Sequence, residues 1–334
     1  MSMKVMRPGL LTSVQDLGRY GYQKQGVIVS GAMDPYSLRI ANLLVGNHEG
    51  EAALELTLMG PELSIEQDTL LSITGGNLSP AIDGTPVPMW RPVYVKAGTV
   101  LSFGPCKSGC RAYLAVAGGF DIPQVMGSKS TYLRAGIGGL HGRALATGDI
   151  LQQQPPGEAS GRVRQALAAK IGARSCAAAS WYTERGYMLA GTGEVKVRAM
   201  RGTQFDKFNE DSQRHFFGEP FQVTPQSDRM GYRLSGEALM LKAPQEMISE
   251  AVTLGTVQVP PDGNPIVLLA DRQTAGGYPR IAQIAAVDIA KIAQMQPGKK
   301  IVFEEITVAE AERLYIEQER NIVNLKMAIS LKTT

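Results

Sequence analysis

The chain has 334 residues, 44% apolar and 19% charged, which suffices for one large core or two ordinary ones at about 100–200 residues per domain. Its formal net charge of +3 is spread along the sequence and not gathered in a basic run, which argues against a nucleic-acid partner. No apolar stretch approaches the roughly 20 residues of a membrane-spanning helix, and the opening residues 1–7 lack the apolar core of a signal peptide, so a cytoplasmic protein with no membrane partner is expected.

Short, glycine-rich, β-branched segments separated by turn signals dominate, the pattern of a mainly β protein and not of a doubly wound sheet. The first clear helix opens at Asp34-Pro35, an N-cap followed by proline at the first helical position, and stops at Gly46. Asp83-Gly84 marks a turn between Pro80-Ala81-Ile82 and Thr85-Pro86-Val87. Residues 152–158, with three glutamines and two prolines, read as a linker, and the run from Arg162 to Lys170 as a short alanine-rich helix. The boundary is therefore expected near Gly157, with lobes over 1–157 and 158–334. Residues 253–259 and 265–270 flank Pro260-Pro261-Asp262-Gly263 as a hairpin. A further helix is expected from Asp288 to just before Pro297-Gly298, and Thr307-Val308-Ala309-Glu310 is a capping box ahead of a C-terminal amphipathic helix.

The two halves echo one another. Residues 55–60 answer 250–255, Thr74-Gly75-Gly76 answers Thr274-Ala275-Gly276-Gly277, residues 98–103 answer 298–303, and residues 30–33 answer 227–230. Four matches in the same order, at offsets of roughly 195–200, are what one structural unit used twice would leave.

Little in the sequence supports metal or histidine chemistry. The three cysteines are odd in number, Cys106-x-x-x-Cys110 has no second pair, and His48, His141 and His215 are scattered, so no metal is expected. Gly127-Ser128-Lys129-Ser130-Thr131 is not a phosphate loop, because the places of its two required glycines hold Ser128 and Pro123. Residues 136–143 miss the dinucleotide fingerprint, since the third glycine would fall on His141.

The strongest candidate site is residues 271–279. Arg272 offers a planar fork for a carboxylate or phosphate, Thr274 a hydroxyl, and Gly276 and Gly277 backbone N–H groups open to close approach. The competing reading is a glycine turn leaving a strand, with Asp271 and Arg272 paired on the surface. Its companion is residues 227–233, where Asp228, Arg229 and Arg233 frame Gly231 and would bind an anion or order a loop. No catalytic residue is singled out.

The opening residues 8–19, then residues 30–34, 41–47, 111–120, 127–131, 227–234, 258–263 and 271–279, together resemble the 5-oxoprolinase C-subunit family, also described as KipA-like or biotin-dependent carboxyltransferase-like. The resemblance runs from about residue 4 to 305. One departure is Ala275, where the family motif has a second threonine. The resemblance implies two cyclophilin-like β-barrel lobes with a few covering helices. It also implies partnership with the KipI-like B subunit of 5-oxoprolinase, together with its A subunit, the three converting 5-oxoproline to glutamate with ATP. Two alternatives come with it: a regulatory protein that binds a KipI-like kinase inhibitor, and a carboxyltransferase acting on urea or a related amide with carboxybiotin. Lys326-Met327 faintly resembles a biotin attachment pair but belongs to the expected C-terminal helix, so no covalent biotin is expected on this chain.

Overall fold

The computed structural model describes residues 2–187, 193–245 and 247–333. The chain divides into two compact units, one made of Met1–Arg19, Ser30–Gly186 and Arg320–Thr334, the other of Tyr20–Val29 and Tyr187–Glu319.

In the first unit, Ile150–Gln152, Ser2–Arg7, Glu62–Ile65, Thr99–Phe103, Pro80–Ile82 and Thr85–Pro86 form a six-stranded antiparallel sheet in that order. A second sheet runs Cys176–Ala178, Val93–Val95, Thr69–Asn77, Ser108–Val116, Ala53–Thr57, Leu11–Gln15. Alternation along the strands sends Val5, Leu63 and Leu101 of the first sheet into one core with Leu54, Ile73 and Leu114 of the second. The other face of the second sheet is covered as well: Leu70, Tyr94 and Tyr113 pack with Leu38 and Ala41 of helix α1 (Pro35–Leu44) and with Val163 and Leu167 of α2 (Glu158–Ala168). Burial on both faces explains why its central strands read as near-continuous buried runs.

Local signals fold as their chemistry dictates. The Asp34 carboxylate accepts the Ser37 N–H at 3.0 Å at the start of α1. Asp83 and Gly84 take φ of 47° and 77° at the tip of their hairpin, a turn that needs left-handed backbone. Helix α2 starts at Glu158, four residues before the expected alanine-rich run, and with the strand Cys176–Ala178 it belongs to the first unit. That strand pairs Cys176 with Val95 at the sheet edge, which carries the first unit past Gly157 to Gly186.

The second unit contains a closed barrel of seven strands, in the order Val195–Arg201, Arg280–Ile284, Thr256–Gln258, Ile266–Leu268, Gly231–Ser235, Phe221–Val223, Lys300–Glu305. It closes through parallel pairing of Val195–Arg201 with Lys300–Glu305. Helix α3 (Glu210–Gly218), which sequence reasoning missed, is capped by the Asn209 side chain and stacks Phe216 on Phe303 at 4.5 Å between centroids. The closed barrel thus occurs in one unit, whereas the other is a pair of sheets around a shared core.

Helix α4 (Ile289–Ala293) follows a single 3₁₀ turn, and Asp288 does not cap it. The Asp288 carboxylate is fully buried and takes the Arg198 guanidinium bidentately at 2.6 and 2.9 Å, with Lys291 at 3.0 Å. Burial alone would raise its pKa, but the Arg198 hydrogen bonds and Lys291 hold it below the usual aspartate value. Helix α5 (Val308–Thr333) begins with the expected capping box: Thr307 N–H donates to Glu310 and the Glu310 N–H to Thr307 Oγ1. Among the described residues no helix is long and apolar enough to cross a membrane.

Candidate functional site

The segment 271–279 leaves the barrel after the strand Ile266–Leu268 and forms one arm of a two-stranded ribbon, Ala275–Gly276 against Glu250–Ala251. Asp271 and Arg272, adjacent in sequence, part company. Asp271 is buried and pairs with Arg229, whose Nε and Nη2 donate to its two oxygens at 2.9 and 3.1 Å. The surface pair Asp271–Arg272 is therefore not formed; Arg229, also buried, has taken the carboxylate because a charge removed from water needs a partner.

Arg272 is left half-buried without a carboxylate within ion-pair distance among the described residues. Its Nη1 donates to the Leu269 carbonyl at 3.2 Å, and its buried Nε has no acceptor. Burial pushes its pKa down, and the ionisable group acting against this is Tyr20 of the same unit. A half-buried guanidinium without a counter-ion has the chemistry to accept an anion.

The other expected residues sort into structural and available groups. Asp228 binds its own turn, accepting the Met230 and Gly231 N–H groups at 2.8 and 3.2 Å. Arg233 points outward from its strand, exposed, and makes no ion pair among the described residues. The Thr274 carbonyl accepts the Val252 N–H at 3.2 Å, while its hydroxyl bonds no described residue. Gly276 does not serve a left-handed turn. A Cβ there would lie 2.6 Å from the amide of the buried Gln258, which reaches past it to donate to the Tyr278 carbonyl. Gly277, Tyr278 and Pro279 line an apolar pocket of about 530 Å³ with Phe208, Met240 and Pro260; Arg272 is not part of its wall. The expected segment therefore has an unneutralised guanidinium at Arg272 and lines an apolar pocket at Gly277.

Sequence reasoning missed a buried polar node in the first unit. Asp16 Oδ1 accepts from Ser128 Oγ at 2.7 Å, Ser130 Oγ at 2.5 Å and Gly18 N at 2.8 Å, and Oδ2 accepts the Lys129 N–H at 2.6 Å. Lys129 Nζ in turn reaches Glu51 at 2.5 Å. The Ser30 hydroxyl donates to the Thr131 carbonyl, and the Ala32 N–H to the Asp16 carbonyl. Gly138 closes the node, since a Cβ there would meet the Ser130 carbonyl oxygen at 2.1 Å. The clues were present as separate runs, residues 13–19, 30–34, 127–131 and 136–139; what joins them is long-range pairing that no local spacing reveals.

Residues 25–305 match the carboxyltransferase domain family, subdomains A and B. The chain is 40% identical over 319 residues to the 5-oxoprolinase C subunit of Escherichia coli, covering 95% of this chain and 96% of that one. It is 38% identical to the 5-oxoprolinase C subunit of Haemophilus influenzae, covering 94% and 96%. The crystal structure of K. lactis urea amidolyase superposes with a TM-score of 0.85 at 31% identity over 97% of this chain, which spans only 20% of that protein. With 95% of the chain matched at 40% identity, it belongs to the 5-oxoprolinase C-subunit family, built on the carboxyltransferase domain.

Proposed function

We propose that this chain is the C subunit of an ATP-dependent 5-oxoprolinase, working with the KipI-like B subunit, and with the A subunit, to open 5-oxo-L-proline to L-glutamate. The observation that carries this reading is the match, over 95% of this chain at 40% identity, to a subunit of that name. Lactam opening must overcome amide resonance. Transfer of the γ-phosphoryl group of ATP to the lactam oxygen, with release of ADP, makes that oxygen a leaving group. Water then adds at the carbonyl carbon, the ring C–N bond breaks as the nitrogen takes a proton, and a second water displaces phosphate from the resulting γ-glutamyl phosphate to give glutamate. In that sequence Arg272 is the residue of this chain suited to hold the substrate carboxylate or the developing phosphate charge, with the Thr274 hydroxyl and the Gly277 N–H as further donors.

The test is reconstitution of the chain with its cognate A and B subunits, 5-oxoproline and ATP, following glutamate and ADP while each subunit is omitted in turn. Glutamate that forms only when this chain is present supports the assignment; unchanged turnover without it contradicts it. The urea amidolyase likeness favours a second reading, carboxyl transfer to an amide nitrogen from carboxybiotin carried on another protein. An intact assembly that forms no glutamate yet carboxylates urea in the presence of a biotinylated carrier would shift the assignment to that chemistry.

A further inference from the structure

Within the first unit, the segment 179–185 lies across Trp90-Arg91: the Arg91 Nη1 donates to the Ala179 carbonyl at 3.1 Å and the Thr183 N–H to the Trp90 carbonyl at 3.0 Å. Four side chains interleave there. The Arg91 guanidinium sits 4.8 Å from the centroid of the Tyr182 ring, and that of Arg185 is 6.0 Å from the Trp90 ring. Among the described residues neither arginine has a carboxylate within ion-pair distance, and the neighbouring Glu184 pairs with neither.

Three features of this cluster are costly if it is only structural. Trp90 is buried yet holds φ of +61°, a conformation that bulky side chains rarely adopt and that concentrates at binding sites. Its indole N–H is buried with no acceptor. The Nε of the next residue, Arg91, is also buried with no acceptor. Two orphaned donors on consecutive residues, beside two unneutralised guanidiniums, call for acceptor oxygens from a ligand. Tyr182 is 59% exposed and backed by Arg91, which leaves ring surface available for stacking.

We infer that Trp90, Arg91, Tyr182 and Arg185 form a nucleoside-phosphate site, with the phosphate taken by the arginines and the base stacked on Tyr182. A phosphate supplies three acceptor oxygens for guanidinium forks, and a nucleobase supplies the flat ring that a bare anion lacks. The inference concerns a surface distinct from the Arg272 segment and does not rest on the reaction proposed above.

The chain reports on this site itself, because its only two tryptophans are Trp90, which belongs to the site, and Trp181, next in sequence to Tyr182, and both pack into one apolar cluster with Leu43 and Leu44. Titrating the full chain with ADP should change tryptophan fluorescence saturably, with calorimetry giving the same midpoint. Adenosine and tripolyphosphate, each carrying half of the recognition, should bind at least about tenfold more weakly, as should ADP to Arg185→Gln and to Tyr182→Ala, since one charge-assisted hydrogen bond or one stacked ring is worth roughly a factor of ten. Absence of saturable ADP binding, tripolyphosphate binding as tightly as ADP, or midpoints unchanged in both folded variants would overturn the assignment.

Discussion

The Asp16 node of the first unit and the Arg272 segment of the second are both rich in charge and hydrogen-bonding groups, but they handle it in opposite ways. Around Asp16 both carboxylate oxygens are taken, by four donors in all, and the lysine beside it is paired with Glu51. At Arg272 a guanidinium is half-buried beside an aspartate that has been given to Arg229 instead. A buried carboxylate whose two oxygens are both taken ties its neighbours together, whereas a half-buried charge without a counter-ion costs stability. The difference separates a carboxylate that ties the fold together from a guanidinium that the fold leaves without a counter-ion.

The largest effect expected from breaking this contrast is at the node. Asp16→Ala strands two hydroxyls and two backbone N–H groups in the interior and should lower the stability of the first unit by about 4 kcal/mol, read from denaturant unfolding. Asp271→Ala removes the carboxylate that the buried Arg229 holds bidentately, and should cost about 3 kcal/mol in the same measurement.

A smaller, pH-dependent effect comes from Asp288. Because its folded pKa is depressed, its contribution is fully present above the ordinary aspartate value of about 3.9 and is lost as pH falls through the folded value. The stability advantage of the unaltered chain over Asp288→Asn should therefore be constant from neutral pH down to about pH 5 and shrink below about pH 4. An advantage that grows on acidification would contradict the Arg198–Asp288 assignment.

The smallest effect on stability should come from Arg272→Gln, within about 1 kcal/mol of the unaltered chain, because no ion pair is broken and a desolvated charge is removed. The contrast with Asp271→Ala one residue away is the sharpest test that the two neighbours have different jobs.

Much of this architecture is legible in the sequence where the determinants are local. Asp34-Pro35, Asp83-Gly84 and the Thr307–Glu310 box each name their own structure, since a cap or a tight turn is decided by a few adjacent residues. The turn glycines Gly98 and Gly298, both at positive φ ahead of strands Thr99–Phe103 and Lys300–Glu305, show the repeat surviving as local geometry. What the sequence hides is non-local. The strand Cys176–Ala178 joins the first unit through pairing with Val93–Val95, across the expected boundary. The choice of Arg229 over Arg272 as the partner of Asp271 depends on which side chain the barrel turns inward. Gly276 looked like a turn residue, and its reason is the buried amide of Gln258.

The role proposed for Arg272, receiving an anion in a multi-subunit enzyme, is tested most directly by steady-state kinetics of the reconstituted three-subunit assembly with Arg272→Gln in this chain. Glutamate formation should fall at least about tenfold in kcat/KM, the loss of one charge-assisted contact, while the variant chain keeps its fold and its place in the assembly. An assembled enzyme with unchanged kcat/KM would contradict the account and leave Arg272 without a role in the chemistry.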